Sequence, residues 1–301
     1  MSAHHHGHSL SEDLQVMETL VARRRALKWF AGAGTVALVA GCGGSDAGSG
    51  VSVVTGSTVS PATPTPTTTA TPTPTPTSST TACIADPTET AGPYPADGTN
   101  NSSGATSNVL TSNGVVRSDI RASFISSTTV ATGVLVKLTL TLVNVNAACA
   151  PLAGYAVYLW HCDRQGRYSL YSSGATTESY LRGVQVTDAN GQVTFTTIYP
   201  AAYDGRWPHM HFEVFSSLAN ALGGRYSILT SQLAMPAATN SAVFADTTTY
   251  PSSATNYARV SLSSDGVFGD NTSAQLAQQT PVLTGSPAAG YTGTALIGIA
   301  R

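Results

Sequence analysis

Charge is scarce in this sequence. Only 10% of its 301 residues are Asp, Glu, Lys or Arg, and the formal net charge is −2. There is no basic excess and no Lys/Arg stripe to grip a phosphate backbone, which argues against a nucleic-acid partner. Long apolar runs are lacking as well. The uncharged, mostly small or apolar run from Trp29 to Gly41 covers 13 residues, too short to span a bilayer by itself. Cysteine is sparse, with four in the chain and no spacing that resembles a zinc motif. No segment keeps a helical period. Gly, Ser, Thr, Ala and Val dominate instead, which favours strands and turns over long helices.

The N-terminal residues read as a targeting segment. Arg23, Arg24 and Arg25 precede Ala26-Leu27-Lys28 and the short apolar run, as in an export signal. This cluster resembles a twin-arginine signal, with Ala26 at the place of the usual large apolar residue. Val39-Ala40-Gly41-Cys42 resembles a lipobox, which would make Cys42 a lipidated mature N-terminus. Residues 1–42 are therefore expected to be a signal peptide. His4, His5, His6 and His8 lie upstream of its end and take no part in the mature protein. Residues 43–82 follow as a Thr/Pro/Ser-rich linker, with Thr-Pro pairs such as Thr71-Pro72-Thr73-Pro74. Such a stretch buries no apolar surface, and its prolines favour an extended spacer. The expected location is outside a bacterial cytoplasm, periplasmic or at the cell surface, with the membrane touched only through an N-terminal lipid anchor.

Outside the cytoplasm a disulfide is permitted. Cys149 and Cys162 flank one expected strand, whose length would keep them roughly 20 Å apart at ~3.3 Å per residue. A bridge would therefore join Cys83 to one of the two.

Residues 83–301 read as one all-β domain, a β-sandwich core with long loops. Val134 to Val143 alternates apolar residues with Lys and Thr, the period of a half-buried strand. Tyr155 to His161, Val184 to Thr187, Gln192 to Ile198, His209 to Phe215 and Ala295 to Ile299 read as further strands. Asp188-Ala189-Asn190-Gly191 carries a hairpin signal between two of them. Residues 216–288 are turn-rich and read as long loops with short strands.

Chemistry concentrates in Tyr203-Asp204-Gly205-Arg206-Trp207-Pro208-His209-Met210-His211. On a strand, His209 and His211 face the same side, so both imidazoles point to one place. Tyr203 precedes them in a loop that can fold back. Tyr168 follows the turn Asp163-Arg164-Gln165-Gly166-Arg167. Imidazole with phenolate is a mixed nitrogen and hard-oxygen set, suited to ferric iron. His161 has no partner that would make it a ligand and reads as structural.

Several spaced motifs resemble the intradiol ring-cleavage dioxygenases of the catechol, hydroxyquinol and protocatechuate types. Thr90-Ala91-Gly92-Pro93-Tyr94, Arg117-Ser118-Asp119-Ile120, Trp160 to Ser169, Leu181 to Asp188, and Gly191 to Pro200 match family segments in the same order. Tyr203, Arg206, His209 and His211 fall in register behind them. The resemblance implies one non-haem Fe(III), with Tyr168 and His209 as equatorial ligands and Tyr203 and His211 as axial ones. It implies a catechol-type substrate that displaces Tyr203, and cleavage with O2 to a cis,cis-muconate-type diacid. Tyr203 would then take a substrate proton, and Arg206 would stabilise developing negative charge. Tyr94 would line the substrate pocket, and Gln185 would bond near an iron ligand. Gln232 matches a family segment of no assigned role. The helical dimerisation region of the catechol-type enzymes has no counterpart here, so the oligomeric state stays open. The short loop from Tyr203 to His209 implies an open site. Two other readings fit the motifs less well: an iron- or catecholate-binding lipoprotein without turnover, and a non-catalytic β-sandwich binding module.

Overall fold

The computed structural model describes residues 83–224 and 226–301. The expected signal peptide, the lipidated Cys42 and the linker lie outside these residues. Two sheets carry the domain. The first centres on β1 (Leu135–Asn144), whose Val136, Leu138, Leu140 and Leu142 are fully buried while alternate residues face outward. β1 pairs antiparallel with β2 (Ala150–Pro151) and with β5 (Gln192–Ile198), and parallel with β9 (Gly290–Ile299), which in turn pairs with β8 (Val282–Ser286). The second sheet is antiparallel throughout, in the order β4 (Arg182–Val186), β3 (Ala156–Trp160), β6 (His209–Phe215), β7 (Leu229–Ala234). β3 and β6 are its inner strands, and every residue in them is buried.

The expected strands are present, most of them to within two residues and β9 with an earlier start at Gly290, and two further corrections apply. The Asp188–Gly191 turn forms, with the Gly191 amide donating to Asp188 O at 2.9 Å. Yet β4 and β5 on either side of it join different sheets, so they are not a paired hairpin. β5 instead finds a seven-residue antiparallel register on β1, from Leu135↔Ile198 to Thr141↔Gln192. The second correction concerns residues 216–288. Besides β7 and β8, they hold four short helices: α1 (Leu218–Leu222), α2 (Ala237–Phe244), α3 (Ser253–Tyr257) and α4 (Ser273–Gln279). With 5 to 8 residues each, they are too short for an apolar stripe to register in the sequence.

The remaining cysteine choice is settled: Cys83 bridges Cys149, and Cys162 is a buried free thiol. The bridge ties the first described residue to the chain just before β2. Asp86 continues the stitching, since its amide donates to Gly298 O at 2.9 Å. The segment then crosses to the second sheet, where the Glu89 amide donates to Thr230 O at 2.8 Å.

Candidate metal centre

One row across the second sheet organises the site. Register places Arg182, Trp160, His211 and Gln232 side by side on β4, β3, β6 and β7. Paired residues share a face, so these four side chains project together, with His209 two residues along. Residues 90–95 cover that face. Gln232 Nε2 donates to Thr90 O at 2.9 Å, Arg182 Nη2 donates to Tyr94 O at 2.9 Å, and Tyr158 Oη donates to Pro95 O at 2.8 Å. Gly92 is required there by its positive φ of +70°, and a Cβ on it would come within 3.3 Å of His211 Cε1.

Tyr168 arrives from the turn after β3. Asp163 builds that turn, its Oδ1 accepting from the amides of Gln165 and Arg167 at 2.8 and 3.0 Å. Its Oδ2 accepts from Arg167 Nε and Tyr180 Oη, each at 2.9 Å. Tyr203 comes from the opposite side, on a loop held to α3: the Ala202 amide donates to Ser253 Oγ at 3.1 Å, and Asn256 Nδ2 donates to Ala202 O at 2.9 Å.

The four expected ligands converge. Tyr168 Oη lies 3.2 Å from His211 Nε2, 3.4 Å from His209 Nε2 and 3.5 Å from Tyr203 Oη. His209 Nε2 lies 3.0 Å from Tyr203 Oη and 3.1 Å from His211 Nε2. Five of the six donor pairs are thus 3.0–3.5 Å apart. Four atoms at such separations surround a point about 2 Å from each, the usual bond length from a first-row metal to nitrogen or oxygen. The donor set therefore fits a metal ion. Among the described residues, no group of three or more His, Cys, Asp and Glu side chains could hold one, so phenols supply half of this set. The side chains are 1–9% exposed, which places the donors inside the protein.

Protonation suits the same end. Burial pulls both imidazoles well below their ordinary pKa, reinforced at His209 by the Arg206 charge and at His211 by His209. His209 Nδ1 donates to Trp207 O at 2.5 Å, which fixes the tautomer that turns the Nε2 lone pair inward. His211 Nδ1 is buried without a partner, and its ring stacks on Trp160 at 4.9 Å and 10°. Burial pushes the Tyr168 phenol well above its usual range. It raises Tyr203 to about 12, against the opposing pull of Arg206.

Arg206 is 3% exposed, and its ion pair with Asp265 is buried. Tyr94 packs on Tyr168, with ring centroids 4.8 Å apart. Gln185 is not brought to the cluster. It is three residues from Arg182 on β4, hence on the other face, and its amide donates to Thr194 O on the first sheet. His161 is structural as expected: Nε2 meets Thr197 Oγ1 at 2.7 Å and Nδ1 meets Cys162 O at 2.8 Å. Gln232 gains a place, its Oε1 accepting from Arg206 Nη2 at 2.7 Å. Asp265, which binds Arg206 Nε at 2.9 Å, carried no motif in the sequence.

Comparison with known proteins finds a matching segment and a shared fold. Residues 127–225 match the Dioxygenase family model. Catechol 1,2-dioxygenase 1 of Acinetobacter lwoffii is 31% identical over 97 residues, covering 26% of this chain and 31% of that protein. The match therefore spans about a third of that relative's length. An intradiol ring-cleavage dioxygenase from Tetranychus urticae shares the fold, with a TM-score of 0.51, 24% identity, and coverage of 72% of this chain and 95% of that one. A second solved dioxygenase gives a TM-score of 0.52 at the same identity and coverage. The matched segment thus lies inside the described domain, and that domain shares the two-sheet fold of a solved intradiol ring-cleavage dioxygenase.

Proposed function

We propose that the domain cleaves a catechol-type aromatic diol with O2 between its two hydroxyl-bearing carbons, using one non-haem Fe(III), to give a cis,cis-muconate-type diacid. The observation that carries this reading is the convergence of Tyr168 Oη, Tyr203 Oη, His209 Nε2 and His211 Nε2 on one point. Bound there, ferric iron would supply the Lewis acidity that makes a catecholate ring reactive toward O2. Both oxygen atoms enter the diacid, and the diol supplies the electrons, so no further reductant is needed.

The chain's own residues take defined parts. Tyr168, His209 and His211 hold position. Tyr203, on its separate loop, is the donor placed to leave as the diol arrives and to take one of its protons at Oη. Arg206 Nη1 is buried with no protein partner, so its N–H groups are available to negative charge developing in a site shielded from water. Tyr94 forms part of the wall through its contact with Tyr168. We also propose export from the cytoplasm, with a lipid anchor at Cys42. The Cys83–Cys149 bridge supports an oxidising compartment.

The test is the visible spectrum of the iron-loaded chain, followed by catechol without O2 and then by O2 uptake. A broad tyrosinate-to-iron band that moves to longer wavelength with catechol, and O2 consumed one-to-one with it, is the expected result. A protein that stays colourless after verified iron loading would end this reading.

A further inference from the structure

Arg206 is held by more than one partner, and the pattern of its bonds singles out a residue beyond the matched region. Its Nε donates to Asp265 Oδ2 at 2.9 Å, and its Nη2 donates to Gln232 Oε1 at 2.7 Å. Nη1 is the nitrogen left over, buried and unpartnered. Gln232 pairs with His211 across β7 and β6, so the Arg206–Gln232 bond ties the guanidinium to the row that carries the donor cluster.

Asp265 is itself fixed on all sides. Oδ2 also accepts from the Trp207 amide at 2.7 Å, and Oδ1 accepts from the Val267 and Phe268 amides at 2.8 and 3.0 Å. The side chain is 0% exposed. A carboxylate this buried is stable as an anion only when its oxygens are bonded and a cation is paired with it, and here both conditions hold. The Trp207 bond ties the same carboxylate to the loop that leads into His209. One anion therefore orients both the guanidinium and the approach to a donor.

We propose that Asp265 is the positioning residue of this site: it locks the Arg206 guanidinium so that Nη1 alone is offered to one anionic oxygen of the bound diol. This rests on the dioxygenase reading above. A planar guanidinium with two of its three nitrogens committed cannot swing to a different pose, so its attraction is spent on a single oxygen position. Arg206 left to Gln232 alone could rotate about its remaining bonds.

The test uses the full chain loaded with ferric iron, anaerobic catechol titration followed in the visible band, and steady-state O2 uptake. Asp265→Asn keeps the shape and leaves an oxygen for amide donors. It should bind iron with the unchanged tyrosinate band while binding catechol at least tenfold more weakly, with a matching loss in kcat/KM. In an Arg206→Gln background, Asp265→Asn should add little further loss, because it acts through Arg206. Additive losses, or unchanged catechol affinity per bound iron, would overturn the proposal and leave Asp265 a purely structural anion. If Asp265→Asn does not accumulate folded, Asp265→Glu carries the same comparison, since it keeps the charge but moves it by one methylene. Failure of the parent chain to bind iron or catechol would instead defeat the dioxygenase reading, so the two failures are distinct.

Discussion

Burial holds both phenols of the donor cluster above their ordinary pKa and both imidazoles below theirs. At neutral pH an arriving cation must therefore replace two phenolic protons but displaces none from the imidazoles. Iron retention against a chelator should strengthen as pH rises from 6 to 8, by about tenfold per unit for each proton released. In Tyr203→Phe that slope, corrected for the chelator's own titration, should fall by about one proton. An unchanged slope would mean that Tyr203 does not bind as phenolate. At this scale the sequence was informative where residues are neighbours and mute where they are not. His209 and His211 share a strand face, and strand alternation alone brings them together. Asp265 reaches Arg206 across 59 positions of chain, with no motif to announce it. Gln185 shows the opposite failure: its segment was recognisable, but its parity relative to Arg182 sends it to the other face of β4.

Among elements, β1 was legible because alternation over ten residues is a strong signal, and the helices were not. α4 did carry a start signal: Thr272 caps the Gln275 amide, and the Gln275 side chain answers the Thr272 amide. The partnering of β5 was hidden, because a turn sequence fixes a reversal but not the sheet that each arm joins. Turn geometry also offers a controlled experiment on the site. Gly166 and Gly154 have nearly equal positive φ, +81° and +80°. A Cβ on Gly166 would meet Tyr203 Cβ at 3.1 Å, whereas one on Gly154 would meet nothing within 4 Å. Alanine at either position should lower stability by roughly 1–2 kcal/mol through backbone strain. Only Gly166→Ala should also disturb the tyrosinate-to-iron band, because it alone presses on a donor's loop. Equal spectra in the two variants would show that the Tyr168 turn and the Tyr203 loop are not mechanically coupled.

At the scale of the whole domain, the start of the described chain is stitched to its end. The Cys83–Cys149 bridge closes a separation of 66 residues, and Asp86 docks on β9 a few residues later. Replacing both cysteines with Ser should destabilise the domain by about 4 kcal/mol on loop-closure grounds, read as a drop in Tm of the oxidised protein. Asp86 adds a dependence on pH. Its Oδ2 accepts from the Gly298 amide at 2.7 Å and from Gln278 Nε2 at 2.6 Å, while Oδ1 is buried without a partner. Burial outweighs those two bonds and raises its pKa to about 7. The unfolded chain holds this proton only up to the ordinary carboxyl range near 4. The folded state therefore binds it more tightly, and the stability it brings is complete below about pH 4 and lost progressively as pH rises to about 7. Three units of difference correspond to an upper bound of about 4 kcal/mol. Asp86→Asn keeps an oxygen for both donors and cannot ionise. Calorimetry at pH 5 and pH 8 should show the parent losing Tm between the two while the variant loses much less, so that the variant is the more stable protein at pH 8. If parent and variant fall in parallel, Asp86 is not the group that sets the slope, and its buried carboxylate is better solvated than its surroundings imply.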